Sequence, residues 1–275
     1  MRHRITDWDD AYANGVHIAG GADYPDRWAK RAAAFRADMA GKGRASLDIA
    51  YGEDPRQRYD MFLPEGTPHG LAVFVHGGFW MRFDKSWWSH LATGPLARGF
   101  AVAMPSYTLC PDARIGQISE EVARAIEAAT SQIDGPVHLT GHSAGGHLVT
   151  RMVTRATALN AETLRRIRRV VSISGVHDLR PLMFTEMNET LGIDEAEALT
   201  ESPALLQPAG SASVTAWVGA AERGEFLRQN ALLANIWRGL GAETECVEEP
   251  DRHHFDVIDG LADPDHLLTQ ALTRP

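Results

Sequence analysis

Val137-His138-Leu139-Thr140-Gly141-His142-Ser143-Ala144-Gly145-Gly146 joins an apolar run to a glycine-rich bend, and a helical pattern follows. This is the pattern G-x-S-x-G in the strand–turn–helix setting that gives it meaning. A turn this sharp forces the serine backbone into a strained conformation. Glycines two residues to either side, Gly141 and Gly145, remove the side chains that would collide there. Ser143 is then projected above a sheet, where a base can reach it. The helix N-terminus beneath it supplies backbone N–H donors and the positive end of a dipole. The alternative reading is a serine in an ordinary glycine-rich turn.

Outward from this bend, short apolar runs alternate with longer helical patterns. The strand candidates are Ser46–Tyr51, Arg58–Leu63, Leu71–His76, Phe100–Pro105, Val137–Thr140, Val170–Ser174, Ser213–Val218 and Glu243–Val247. The first two, separated by Gly52–Gln57, suit a hairpin. The later runs (LAVFV, FAVAM, VVSIS) are near-continuously apolar, as expected of strands covered on both faces. Helices are expected over Trp87–Arg98, Ile115–Gln132, Gly146–Leu159, Glu225–Leu240 and Pro264–Leu272. In the second of these, Ile115, Ile118, Val122, Ala125, Ile126 and Ala129 form one stripe at spacings of three and four. The alternation predicts a single α/β domain: a doubly wound, mostly parallel eight-stranded sheet with helices on both faces. Residues 1–45 read as a polar helical segment, with a helix over Arg27–Met39. Residues 175–212 are too long for a simple crossover and predict a small cap. In that cap Met183, Phe184, Met187 and Leu191 either line a pocket or form the cap's own core.

A second signal precedes the elbow by one strand–helix unit. Phe74-Val75-His76-Gly77-Gly78-Phe79-Trp80 follows a buried-strand pattern, and its glycines let backbone N–H groups approach a ligand oxygen. Gly77 and Gly78 with Ala144 are the candidate oxyanion-hole donors. A serine hydroxyl needs a base, and in this chain order the base comes last. His254, in Asp251-Arg252-His253-His254-Phe255-Asp256, is the candidate, with His253 as its neighbouring alternative. The orienting acid falls between Ser143 and His254 at a strand end. Glu222 is favoured by its place after the penultimate strand; Asp178 is the alternative, and otherwise reads as a cap or turn residue. Phe79, Trp80 and Tyr107 are the candidate substrate-binding residues, offering faces on which an aryl group can stack. For Trp87 and Trp88, helix packing is the competing role. No metal ligand set and no cofactor are expected, since His253 and His254 project differently and lack a carboxylate at ligand spacing.

Composition narrows the function classes. The chain has 275 residues, 44% hydrophobic and 23% charged, with net charge −9. A negative field of that size disfavours broad nucleic-acid binding. The basic cluster Arg165, Arg166, Arg168 and Arg169 reads as a solvated helix face. Two cysteines, Cys110 and Cys246, neither form a disulfide framework nor carry an activating signature, and both read as buried or half-buried small residues. No apolar run is long enough to span a membrane. The opening MRHRITDWDD lacks the apolar core of a secretory signal, so a cytoplasmic location is expected.

Taken together, these motifs resemble the α/β-hydrolase superfamily, and within it the arylformamidase (kynurenine formamidase) branch and its esterase relatives. The matching stretches are His76-Gly77-Gly78-Phe79-Trp80, Gly141-His142-Ser143-Ala144-Gly145-Gly146-His147, Glu225-Phe226-Leu227-Arg228-Gln229 and His254-Phe255-Asp256-Val257-Ile258. They cover about residues 46–270. The formamidases usually carry Asp where this chain has Glu222, and Glu is an accepted orienter in the fold. The resemblance implies a serine hydrolase acting on a small ester or amide through an acyl-enzyme: an arylformamidase, or else a short-chain carboxylesterase or thioesterase. A protein of this fold that only binds its ligand is the non-enzymatic alternative. A homodimer is the expected assembly.

Overall fold

The computed structural model describes residues 4–274. The first three residues of the stretch read against a secretory signal, and the last residue of the single-domain reading, lie outside the described residues. All eight expected strands are present with shifted ends: β1 Ala45–Ala50, β2 Arg58–Phe62, β3 Leu71–Val75, β4 Ala101–Pro105, β5 Val137–His142, β6 Ile167–Ile173, β7 Ser213–Gly219 and β8 Thr244–Glu249. They form one sheet in the order β1-β2-β4-β3-β5-β6-β7-β8. β2 is antiparallel to both of its neighbours, and every pair from β4 onward is parallel.

The helices are α1 Trp8–Tyr12, α2 Tyr24–Gly41, α3 Thr93–Ala97, α4 Ile115–Thr130, α5 Ala144–Arg151, α6 Ala161–Arg166, α7 Asn188–Leu191, α8 Glu195–Glu201, α9 Gly224–Gly239 and α10 Leu267–Thr273. α4, α5 and α9 cover one face, and α2, α3 and α10 the other. The apolar runs follow from this layering. Along β3, Leu71, Val73 and Val75 enter one core layer while Ala72 and Phe74 enter the other, so no position is left for a polar residue. The stripe read in α4 is buried at each of its six positions.

Four local expectations are corrected. The helix expected over Trp87–Arg98 is broken into 3-10 turns, Lys85–Trp87 and Ser89–Ala92, ahead of the short α3. Pro95 removes a donor there, and Gly94 packs so closely that a Cβ would lie 2.5 Å from the Leu261 carbonyl oxygen. The helix after the elbow stops at Arg151, short of Leu159. The four arginines share no helix face: Arg165 and Arg166 close α6, Arg168 and Arg169 open β6, and Arg166 binds the carbonyls of Thr130, Ile133 and Gly135. Cys110 is buried, which pushes its thiol up to about 11, whereas Cys246 is exposed on the edge strand β8.

Candidate active site

β5 ends at His142 and α5 begins at Ala144, leaving Ser143 alone at the bend with φ 56° and ψ −116°. Such backbone costs a non-glycine residue on the order of 1–3 kcal/mol and persists only where the surroundings enforce it. Here the Ser143 N–H is tied to the Ile173 carbonyl at 2.8 Å. A Cβ on Gly141 would lie 2.3 Å from the Gly145 carbonyl oxygen, and one on Gly145 would lie 1.9 Å from that of Val75. Rigid backbone therefore requires both glycines.

His254 follows β8 and brings Nδ1 within 2.6 Å of Glu222 Oε2. The other carboxylate oxygen, Oε1, accepts from Ser174 Oγ at 2.5 Å and from the Gly219 N–H at 2.9 Å. Glu222 is thereby held at a fixed angle, and the longer side chain is accommodated by the turn after β7. A carboxylate on Nδ1 places the ring proton there and leaves Nε2 as the basic nitrogen. His142 Nε2 donates to the His254 carbonyl at 2.8 Å, and burial holds the His142 ring well below the usual histidine range, hence neutral. Phe226 packs on the His254 ring with centroids 4.4 Å apart. Ser143 and His254 both line one cavity. Among the described residues they form no direct hydrogen bond, a contact that in ligand-free hydrolases often tightens only with substrate bound.

The alternatives lie elsewhere. Both carboxylate oxygens of Asp178 are occupied by Arg180, at 2.9 and 3.0 Å. His253 faces the Tyr24 hydroxyl at 3.2 Å.

The loop after β3 has positive φ at three residues: 112° at Gly78, which glycine tolerates, and 51° at Phe79 and 56° at Trp80, which are strained. Gly78 and Phe79 reach the cavity wall and Gly77 does not. Gly77 lies behind the elbow, where a Cβ would stand 3.1 Å from Ser143 Cβ and 2.7 Å from the His142 carbonyl oxygen. On the cavity side the loop therefore presents Gly78 and Phe79, while neither Gly77 nor Ala144 is part of the wall.

Of the three aromatic candidates, only Phe79 lines the cavity. Trp80 is fully buried and turns its edge to His147, with centroids 5.1 Å apart. Tyr107 is also buried; it stacks on His76 at 4.3 Å and donates to the His76 carbonyl at 2.9 Å. Both buttress the loop from within, because its left-handed turn directs residue 79 outward and residue 80 inward. Burial pushes the His76 ring down to about 4, so it stays neutral beneath the loop.

The cavity has a volume of about 660 Å³. Its aromatic wall is completed by Trp88, one of the tryptophans for which helix packing is the competing role, and by Trp28, Phe83 and Phe255, which the sequence motifs do not single out. Its roof comes mainly from residues 9–28 and from the cap only at Met187. Phe184 is largely exposed and stacks on Trp8 at 6.4 Å; Leu191 is buried. The stretch Glu225-Phe226-Leu227-Arg228-Gln229 explains how the roof is fastened. Tyr12 donates to Glu225 Oε1 at 2.8 Å, and Gln229 Nε2 donates to the same oxygen at 2.9 Å. Gln229 Oε1 accepts from the N–H groups of His177 and Asp178, both at 2.8 Å. One helix, α9, thus pins the roof, the loop after β6 and the packing of His254. A larger groove of about 1350 Å³, lined by Phe35, His69, Arg98 and His138, opens at the N-terminal ends of the strands, remote from Ser143.

The fold and the placement of the Ser–His–Glu group define the class: the chain belongs to the alpha/beta hydrolase family, whose model matches residues 72–271. It is similar to the kynurenine formamidase of Danio rerio, 28% identical over 91% of this chain and 92% of the relative. It is also similar to that of Drosophila melanogaster, 31% identical over 82% and 79%. A solved structure from Silicibacter sp., provisionally described as a thioesterase, superposes with a TM-score of 0.90 at 51% identity, covering 96% of this chain and 98% of that one. The esterase of Pyrobaculum calidifontis shares the fold at 15% identity and a TM-score of 0.69. Among the described residues, no helix is long and apolar enough to cross a membrane.

Proposed function

We propose that this hydrolase cleaves a small ester or aryl-formamide bond through an acyl-enzyme on Ser143. The reading rests on one observation: His254, held at Nδ1 by Glu222 at 2.6 Å, faces the same cavity as the strained serine. Ser143 Oγ attacks the carbonyl carbon while His254 Nε2 takes its proton, and Glu222 offsets the imidazolium charge. The N–H groups of Gly78, Phe79 and Ala144 bind the oxyanion. His254 then protonates the departing alcohol or arylamine, and water, deprotonated by the same ring, releases the acid.

The arylformamidase-like reading draws support from relatives named kynurenine formamidase that match most of both chains. The aromatic cavity wall also suits an aryl group. A thioesterase or short-chain carboxylesterase is the second reading, favoured by the description of the Silicibacter structure. The proposal includes a cytoplasmic location and a homodimer, the latter tested by light scattering.

The deciding experiment compares N-formylkynurenine, p-nitrophenyl acetate and a short acyl thioester with the wild-type protein and Ser143→Ala. We expect the aryl formamide to exceed both others at least tenfold in kcat/KM. Ser143→Ala should lose on the order of 10^4-fold or more. A tenfold preference for the thioester or the ester selects the second reading. Equal background turnover in wild-type and variant leaves a ligand-binding protein.

A further inference from the structure

Among the described residues, seven besides glycine hold positive φ: Asp48, Phe79, Trp80, Phe83, Ser143, Ser174 and Asp251. Asp48 lies on the edge strand β1. Phe79, Trp80 and Phe83 belong to the loop after β3, Ser143 is the elbow, and Asp251 lies in the turn between β8 and His254. Ser174 belongs to none of these. It sits one residue past β6 with φ 52°.

Glycine takes such a conformation freely, and asparagine or aspartate more readily than serine. The chain nevertheless places a fully buried serine there, and its glycine stands next door at Gly175, outside the left-handed region. The backbone of this position does not require a side chain. The Ser174 N–H donates to the Trp217 carbonyl at 2.7 Å, and a glycine would do the same. What a glycine would lack is the hydroxyl. Facing a carboxylate, a hydroxyl can only donate, and this one reaches Glu222 Oε1 at 2.5 Å. The Glu222 side chain is itself fully buried, so the charge-assisted bond forms away from water.

A glutamate carries one more rotatable bond than an aspartate, and its terminal torsion is broad. The Gly219 N–H, three residues back in the same turn, also holds Oε1 at 2.9 Å, but it moves with the turn that carries Glu222. Ser174 stands at the end of the neighbouring strand. Donors from β6 and β7 together fix the carboxylate plane, which keeps Oε2 on His254 Nδ1. We infer that Ser174 is a positioning residue for the reaction: its hydroxyl fixes Glu222, and the left-handed backbone is retained to deliver it. This rests on Glu222 and His254 serving as acid and base in the proposed hydrolase.

Two variants separate the hydroxyl from the backbone. Ser174→Ala and Ser174→Gly both remove the hydroxyl, and only the second also removes the left-handed cost. Each is expected to lose on the order of tenfold to a hundredfold in kcat toward p-nitrophenyl acetate, with KM within about twofold of wild-type. The two losses should agree within about threefold, while Ser174→Gly melts at the higher temperature of the two. In a Glu222→Gln background, adding Ser174→Ala should cost less than about threefold, because residues that act as a unit are not additive. A further readout needs no turnover. The His254 Nδ1 proton, which faces Glu222 Oε2 across 2.6 Å, gives a far-downfield proton resonance, identified by its loss in Glu222→Gln. That resonance should move or broaden in both Ser174 variants. Wild-type kcat in Ser174→Gly beside a loss in Ser174→Ala overturns the inference, since the backbone would then be what matters. So does a loss that persists undiminished in Glu222→Gln, or a resonance unmoved in both variants. A resonance that responds in a protein whose turnover survives Ser143→Ala sinks the serine-hydrolase reading and leaves the role of Ser174 in fixing Glu222 standing.

Discussion

Gly145 and Ser143 place opposite demands on one bend: the first must have no side chain, and the second must hold one in a conformation that side chains avoid. Gly145→Ala drives a methyl to within 1.9 Å of the Val75 carbonyl oxygen, in the strand beside the elbow. Backbone on both sides cannot yield, so we expect a loss of more than about 3 kcal/mol, read as a collapse in soluble yield or melting temperature. Glu222→Gln keeps the shape but offers an amide to His254 Nδ1 and takes away the charge opposite the imidazolium. It should lower kcat about 10^3- to 10^4-fold, while Asp178→Asn, whose carboxylate serves Arg180, should change kcat less than threefold. Equal losses in the two variants would show that the acid has been assigned to the wrong strand end.

At the scale of elements, the N-terminal segment matters more than its polar sequence suggests. α1 and the turns after it roof the cavity, and Tyr12 ties them to Glu225 on α9. Tyr12 also meets Phe79 edge-on at 6.5 Å and Phe226 at 5.9 Å, joining the roof to the oxyanion loop and to the packing of the base. Tyr12→Phe removes two buried hydrogen bonds, one donated to Glu225 and one accepted from Gln229 Nε2, and keeps the ring. Amide protection over residues 8–22 should fall at least about fivefold, since each net hydrogen bond is worth about 1 kcal/mol, while β3 and β5 keep theirs. Unchanged protection would mean that aromatic packing alone holds the roof. Residues 175–212, expected to form a cap, pack Leu182, Leu191 and Ala198 into the main core and touch the cavity only at Met187 among the described residues. The excess length of this connection does not reveal that another segment covers the cavity.

For the whole molecule, buried histidines set the response to acid. Burial pushes His76 and His138 down to about 4, and His90, His147 and His177 down to about 3. In the unfolded chain each titrates near about 6.5. Below that pH the unfolded state binds more protons, so stability is full above about pH 6.5 and declines as the pH falls toward 4. Among the described residues, His90 has both ring nitrogens unpartnered, and it lies outside the site. His90→Leu should therefore flatten the decline in melting temperature between pH 7 and 4.5; an unaltered slope would show that other groups control it.

The eight strands, the α4 stripe and the elbow are legible in the chain because they are written locally: short apolar runs between turn residues, a period near 3.6, and glycines flanking one serine. His254 and the favoured acid follow from chain order, since this topology brings successive strand ends to one edge of the sheet. Local pattern does not carry across the fold. Trp28 and Asn14 reach a cavity built around Ser143 from more than a hundred residues away, and no spacing rule records that meeting. Inside the loop after β3, the left-handed turn, rather than residue type, decided that Phe79 faces the cavity while Trp80 enters the core. Periodicity is a property of neighbours along the backbone and survives in the sequence; the composition of a pocket wall depends on which distant surfaces pack together, and only the folded chain settles that.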